Sequence, residues 1–460
     1  VSSASSVDAA VAAAPAGARS AGVRVGALFG PAVFGVTAAG VALPDVGAEL
    51  RAGPAEVAWV LTAHALALGL RTAFFGRLSD AWGVRRTLAA GAIVLALGTV
   101  VCLVAPDLRV LVAGRFVLAA GSGAMSACAL ALTAAAAPER RASMLAGFGA
   151  SMAVFSAAAT LAGGVVTELA SWRITLVLPA LSLLAAPLCA GLAVRPGTGA
   201  RVDLTGAGLL TGAASAFLIL IQAGTLGLPG VAAAVVGAVF VVAAAGLALR
   251  VRRVPSGFVP RRLVGDRPYL VAAAVGIGVY GGLFATMYAA PQLLVREHGM
   301  SVLAVGAWLL PGAVVGVVAS RAVGAVRSPR ARNTLLAAVA AAFAAVLLAA
   351  ALAGGAVLLI AAASLGFAAF STAQVAVTAI MSAHLPPATR GGGMGLLNLA
   401  FFAGGATASA LTAALSAPLG LAPSLAVITL FPATAALLSL TLPRAVPAPS
   451  PPAAPAGARP

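Results

Sequence analysis

Gly76-Arg77-Leu78-Ser79-Asp80-Ala81-Trp82-Gly83-Val84-Arg85-Arg86-Thr87 is the stretch on which the fold turns. It places one carboxylate and three guanidiniums between two runs, 55–75 and 86–105, that are almost free of charge. A helix needs about 20 apolar residues to cross a bilayer. Each flank is therefore read as a membrane span, and the charged stretch as the water-facing loop that joins them. Gly76 and Gly83 permit a tight turn and a close approach of the two helices. Asp80 stands beside Arg77, Arg85 and Arg86 and can also face the N-terminus of the next helix.

The rest of the chain repeats this alternation. Of 460 residues, 62% are hydrophobic and only 8% charged, with a mean hydropathy of +1.08. Soluble domains carry about 25% charged residues, so this chain cannot clothe a water-facing surface. Soluble enzymes, secreted disulfide scaffolds and disordered proteins are excluded. The net charge of +17 comes from arginine alone, because no lysine occurs. The arginines lie in short clusters between apolar runs, the pattern of a topology signal, not of a nucleic-acid surface. Cys102, Cys128 and Cys189 are isolated within apolar runs and form no CxxC, so neither a disulfide framework nor a zinc site is expected. No signal peptide is evident in the Ser/Ala-rich lead.

Fourteen spans are expected, at 24–46, 55–75, 86–105, 108–135, 141–168, 172–195, 203–224, 229–250, 267–292, 301–321, 332–353, 354–382, 392–417 and 422–442. With the N-terminus inside, 22 of the 28 arginines fall on the inner side, as the positive-inside rule requires. Losing one span would invert every later loop. The expected architecture is an all-α integral membrane protein. A six-helix bundle at 24–195 and another at 267–442 flank a transmembrane hairpin at 203–250 and a basic loop at 251–266. Residues 1–23 and the Pro/Ala-rich tail 443–460 are expected to be disordered and cytoplasmic. The Gly391–Gly393 run reads as a flexible lead into a helix, and Gly276–Gly281 (GxGxxG) as small-residue helix packing within span 9.

The loop at Gly76, Asp80, Gly83, Arg85 and Arg86 resembles the GxLxDxxGRR loop of the major facilitator superfamily. Further stretches resemble its fourteen-helix drug:proton antiporter branch: Val41-Ala-Leu-Pro44, Trp59-Val-Leu-Thr62, Ser171-Trp172-Arg173, Leu309-Leu-Pro311 and Gly391-Gly-Gly-Met394-Gly-Leu-Leu-Asn398. The resemblance covers roughly 24–442 and implies that the Asp80 loop is a conformational switch. There are departures. Gly35 stands where that branch commonly has an acidic residue, nine positions before Pro44. Ala159-Thr160-Leu-Ala-Gly163-Gly164 lacks the Gly-Pro half of the antiporter signature. Arg115 is followed by glycine at 121 and 123, not four residues on.

Arg115 is the most informative single residue. It lies about 10 Å below the outer end of span 4 at about 1.5 Å per residue. An arginine at mid-helix costs about 2.5–3.5 kcal/mol on insertion scales, so it must face protein or a wet cavity unless it snorkels to the headgroups. By the same arithmetic its side chain reaches the backbone of span 1 near Gly35–Thr37. His64 and Arg71 are seven residues apart on one face of span 2; the histidine is a candidate for protons or substrate, or simply bonds a carbonyl. No acid sits at mid-membrane, and Asp45, Glu56 and Asp203 join Asp80 as the acids nearest to it. Tyr280, Tyr288, Gln292, Gln374, Asn398 and Phe401 are the rare polar or aromatic residues of the second half and candidate cavity lining.

The expected function is secondary active export of a hydrophobic or amphipathic drug, antibiotic or secondary metabolite, by alternating access and proton antiport, across the cytoplasmic membrane with both termini inside. A uniporter or importer of a small organic solute is the nearest alternative. A non-transporting membrane receptor or assembly factor is the alternative of another class. No metal or nucleotide constellation, cofactor, catalytic residue or nucleic-acid partner is expected. The implied partners are the substrate, protons and the bilayer, and the expected state is a monomer.

Overall fold

The computed structural model describes residues 17–443, apart from 137, 194, 195, 200 and 327. Thirteen of its helices are long and apolar enough to cross a membrane, and the count is fourteen when the pair Gly147–Ser156 and Ala158–Leu169, bent by 42°, is taken as one span. In chain order they are α1 Gly17–Glu49, α2 Pro54–Trp82, α3 Val84–Val104, α4 Leu108–Ala134, α5 Pro138–Leu169, α6 Trp172–Ala190, α7 Leu204–Ile221, α8 Gly230–Arg253, α9 Arg267–Arg296, α10 Val302–Ala325, α11 Pro329–Ala353, α12 Ala356–His384, α13 Pro387–Leu419 and α14 Leu421–Ser439. No strand occurs among the described residues. That is the expected outcome where no water is present to satisfy open backbone groups.

Short polar residues start the helices at the membrane surface. Asp107, Ser171, Asp203, Asp266, Ser301 and Ser328 each accept a backbone N–H of the helix that follows. This satisfies donors that the first turn leaves open. The turns between neighbouring spans need glycine. Gly83 closes α2 at φ 85°, and Gly354 and Gly355 join α11 to α12 at φ 68° and 93°, values that side chains with a Cβ avoid.

Helices α1–α6 pack as one bundle and α9–α14 as a second. Between bundles α2 runs along α13, α5 along α10, and α1 along α9. The contacts are close at the end of the molecule that carries Pro54. A methyl on Gly306 would stand 3.0 Å from Gly164 Cα, and one on Gly40 would stand 2.6 Å from the Met287 carbonyl oxygen. At the arginine-rich end, Arg77 of α2 lies against Gly392 of α13. The hairpin α7–α8 lies outside both bundles, against α13 and α2. Ala243 is the buried residue of α8, whose apolar surface faces outward all round, as a lipid-facing helix does.

Two expectations need correction. Residues 17–23, expected to be disordered, form the first turns of α1. Residues 1–16 and 444–460, which hold the rest of both expected tails, lie outside the described residues. The Gly391–Gly393 run is not a lead but part of α13, because Pro387 at the first helical position starts that helix earlier. There Tyr269 Oη donates to the Gly393 carbonyl at 2.8 Å. The GxGxxG stretch behaves as packing: Gly276 meets the Phe401 ring, while Gly278 and Gly281 meet Phe431.

Candidate functional site

The centre of the first bundle is built around helix breaks. In α1 the stretch Gly30–Gly35, opened by Pro31, is a 3₁₀ turn, and α-helix resumes at Thr37. In α6 the helix gives way to a 3₁₀ turn at Leu178–Leu181, where Pro179 has no N–H to offer. Such breaks leave carbonyls short of partners. Arg115 of α4 supplies them. It is wholly buried. Its Nη2 donates to the Gly35 carbonyl, its Nη1 to the Leu176 carbonyl at 2.7 Å, and its Nε to the Val60 carbonyl at 3.3 Å. One guanidinium thus joins α1, α2 and α6 through charge-assisted bonds. The snorkelling alternative is excluded, and the reach to Gly35 agrees with the depth arithmetic. No carboxylate lies within ion-pair distance of Arg115 among the described residues.

His64 fills the space beside this cation. It is wholly buried, and neither ring nitrogen has a hydrogen-bond partner. The Arg115 main-chain carbonyl stands beside the ring without a hydrogen bond of ordinary geometry. The ring sits on Gly35, where an added Cβ would be 2.0 Å from Nε2 and 2.5 Å from Cε1. The same turn of α2 reaches the other bundle, since Thr62 Oγ1 and Ser409 Oγ of α13 are 3.3 Å apart.

Other sequence candidates lie elsewhere. Arg71 is half-buried, with its guanidinium 5.7 Å from the centre of the Phe74 ring. It lines a groove of about 440 Å³ with Leu204, Ala207, Thr211 and Phe258, so it faces the hairpin while His64 faces α1. Glu56 caps α2, accepting the Gly53 N–H at 2.8 Å. Asp203 ties the hairpin together, accepting from Gly206 N at 2.9 Å, Phe258 N at 3.0 Å and Arg250 Nη2 at 2.9 Å. Burial pushes the Asp203 carboxyl up, yet those bonds and the Arg250 charge outweigh it and hold it below the usual carboxylate range. Asp45 is half-buried on α1, with Glu168 and Glu49 as its electrostatic neighbours.

The stretch Gly76–Thr87 is not the expected loop: Gly76–Trp82 continue α2, Val84 begins α3 and Gly83 alone joins them, and the anticipated charge cluster is not closed. Asp80, Arg85 and Arg86 are exposed, and Asp80 forms no ion pair among the described residues. The backbone is what is held. Thr198 N donates to the Asp80 carbonyl at 2.9 Å, and Gly199 N to the Ala81 carbonyl at 3.0 Å, so the segment after α6 clasps the turn. Gly76 meets no neighbour within 4 Å of an added Cβ. Its expected role in close helix approach is not seen; Gly83 makes the turn.

The second bundle has an aromatic centre. Tyr280 is almost wholly buried, with the rings of Phe370, Phe401, Phe402 and Phe284 at 4.5, 5.0, 5.6 and 5.9 Å between centroids. Its hydroxyl donates to Gln374 Oε1. Three of the six expected lining residues, Tyr280, Gln374 and Phe401, therefore meet. The other three do not join them. Tyr288 Oη donates to the Pro54 carbonyl across the bundles; Gln292 Nε2 bonds the Tyr288 carbonyl at 2.7 Å; Asn398 Nδ2 bonds the Met394 carbonyl at 3.2 Å. Sequence reading missed Phe284, Phe370 and Phe402. A signal existed: Tyr280 with Phe284, and Phe370 with Gln374, are four apart and share a helix face.

Residues 25–409 match the family profile described as the Major Facilitator Superfamily. A puromycin resistance protein of Streptomyces alboniger is 33% identical over 263 residues, which are 55% of this chain and 52% of that protein. A lincomycin resistance protein of Streptomyces lincolnensis is 31% identical over 293 residues, 60% of this chain and 58% of that protein. A cephamycin export protein of Amycolatopsis lactamdurans is 35% identical over 179 residues, 37% of each chain. The chain spans about half the length of the curated relatives it matches.

Proposed function

The chain belongs to the Major Facilitator Superfamily, and from that premise we propose that it exports amphipathic organic compounds of antibiotic type by proton antiport. Its arginine-rich end and both termini face the cytoplasm, and the membrane is the cytoplasmic one. The two bundles rock about the contacts of α2 with α13 and α5 with α10, so that a central site opens to either side in turn. The arrangement described here holds the outer ends together, through Tyr288 with Pro54 and Gly306 with Gly164. The carrier works as a monomer without a cofactor or catalytic chemistry, with the proton gradient as its energy source.

The observation that carries this reading is the wholly buried Arg115 on carbonyls of three helices, with no carboxylate at ion-pair distance among the described residues. A desolvated cation is a costly structural element, and it gains a purpose where charge must cross. The aromatic centre around Tyr280 supports an apolar, ring-bearing substrate. The resistance and export named for the relatives support the outward direction. Of the other expected acids, Glu56 and Asp203 support structure: one caps α2 and the other clasps the hairpin. The stretch around Asp80 is the place where the cytoplasmic ends change their contacts, because the Asp80 carboxylate forms no ion pair among the described residues and is free to close on Arg85 and Arg86.

A susceptibility panel of puromycin, lincomycin and a cephamycin, in a host stripped of its own efflux pumps, tests this. Expression should raise the inhibitory concentration of at least one compound, and a protonophore should restore the intracellular level of that compound. Resistance that survives the protonophore would refute proton coupling. Accumulation in place of exclusion would favour an importer.

A further inference from the structure

The proton-antiport reading leaves open which group carries the proton, and the geometry at Gly35 answers this. Among the acids whose side chains are described, Asp45, Glu49, Glu56, Asp107, Glu168 and Glu297 stand at or beyond one end of the spans. Asp80, Asp203 and Asp266 stand at the other end. Of the three histidines, His298 follows the end of α9, and His384 ends α12 bonded to Asp266 at 2.7 Å. His64 is the imidazole that stands within the described span interiors. It is wholly buried and both ring nitrogens are without a partner, although a buried polar group is ordinarily bonded.

We propose that His64 carries the coupling proton, and that Gly35 is the seat that lets its imidazole stand against Arg115; this rests on the proton-antiport reading. The charge that acts on His64 is Arg115 of α4. Cys102 of α3 is an electrostatic neighbour of Arg115. Helix α1 presents the bare Gly35 backbone, and α13 presents the Ser409 hydroxyl through Thr62. The closed arrangement stores the neutral ring, because no carboxylate among the described residues pairs with it or with Arg115 to balance a second cation. When water from the outside reaches the ring, a proton adds to a nitrogen lone pair. When the cavity faces the cytoplasm, the same proton leaves to water there.

Proton uptake is transmitted along one turn of α2. Val60 takes the Arg115 Nε, His64 receives the proton, and Thr62 meets Ser409 of the other bundle. An imidazolium at 64 repels Arg115 from the Gly35 and Val60 carbonyls and loosens the turn that holds α13. Positions 35 and 64 are also mutually exclusive. Any Cβ at 35 would overlap the ring, so a titratable side chain can come from one position or the other, but not from both.

The experiment uses the full chain in vesicles, with radiolabelled puromycin uptake measured with and without an imposed pH gradient. In His64→Ala the ratio of gradient-driven to gradient-free uptake should fall to about one. Gly35→Asp alone should lose uptake through overlap with the ring. His64→Gly combined with Gly35→Asp should regain a ratio above one, by returning a titratable group to the same place. A His64→Ala ratio equal to that of the parent overturns the proposal. If the parent moves no puromycin, the transport reading fails for that compound, and a second measurement still decides the proton site. Nitrogen-15 labelled protein carrying His298→Gln and His384→Gln, in lipid nanodiscs, should show the remaining imidazole neutral at high pH and gaining a proton as the pH is lowered. A ring that gains no proton on acidification, with puromycin present or absent, overturns the proposal.

Discussion

The two six-helix bundles place different chemistry at their centres. In the first, a guanidinium and an imidazole stand where α1 and α6 lose their regular turns. In the second, four phenylalanine rings surround Tyr280, and the polar contact is a neutral hydroxyl–amide bond. Both centres use glycine to admit a ring, Gly35 for His64 and Gly276 for Phe401. The difference teaches that one architecture can divide its labour. A cation buried at membrane depth needs free carbonyls, and broken helices provide them. An aromatic cluster needs only space beside unbroken helices. Charge is handled on one side and apolar shape on the other.

Breaking the charged centre should have the largest effect. Arg115→Ala leaves the Gly35 and Leu176 carbonyls, which lie at helix breaks, without their donor, at about 1–3 kcal/mol for each buried acceptor left unmet. Efflux should drop to background, and the melting temperature of the purified protein should fall. Arg115→Lys should recover less than half of the transport, because a single ammonium cannot match a fork that reaches three helices. Equal transport by the lysine variant would show that charge alone matters.

Overpacking the two glycines tests whether the centres differ in kind. Gly35→Ala and Gly276→Ala each drive a Cβ into a ring, at 2.0 Å from His64 Nε2 and 1.8 Å from Phe401 Cε1. Each should cost about 1–3 kcal/mol of stability, read as a lowered melting temperature. His64→Ala should relieve the first and Phe401→Leu the second in double-mutant cycles. The pH dependence of uptake should change in the first cycle alone. A matching change in the second would break the division between charge and shape.

Tyr280→Phe is the mildest test. It deletes the bond to Gln374 and keeps the ring, so about 0.5–1.5 kcal/mol is expected. Its effect should fall on the relative inhibitory concentrations of different antibiotics, with the response to a protonophore unchanged. Altered protonophore sensitivity would place part of the coupling in the second bundle.

Much of this was legible in the residues. The span count follows from uninterrupted apolar runs, and Arg115 could be aimed at Gly35 from helical rise alone. What stayed hidden was non-local. Pro31 and Pro179 signal helix breaks, but not that the freed carbonyls of Gly35 and Leu176 converge on one guanidinium. Asp203 read as a near-membrane acid because the sequence does not show Phe258 N and Arg250 turning back onto it. The ends of α1 and α2 were drawn too short, since backbone hydrogen bonding continues past the apolar stretch to Gly17 and Trp82. The phenylalanines around Tyr280 come from α9, α12 and α13, and only packing reveals that they share a centre.

The central claim is that an organic substrate and a proton move in opposite directions through this chain. It is tested most directly by trapping a fluorescent pH indicator inside vesicles that contain the full chain, then adding puromycin on one side with no initial pH gradient. The account predicts that puromycin entry drives protons out, so the lumen turns alkaline with the parent protein and stays unchanged with His64→Ala. Puromycin entry with no change of internal pH in the parent would contradict it.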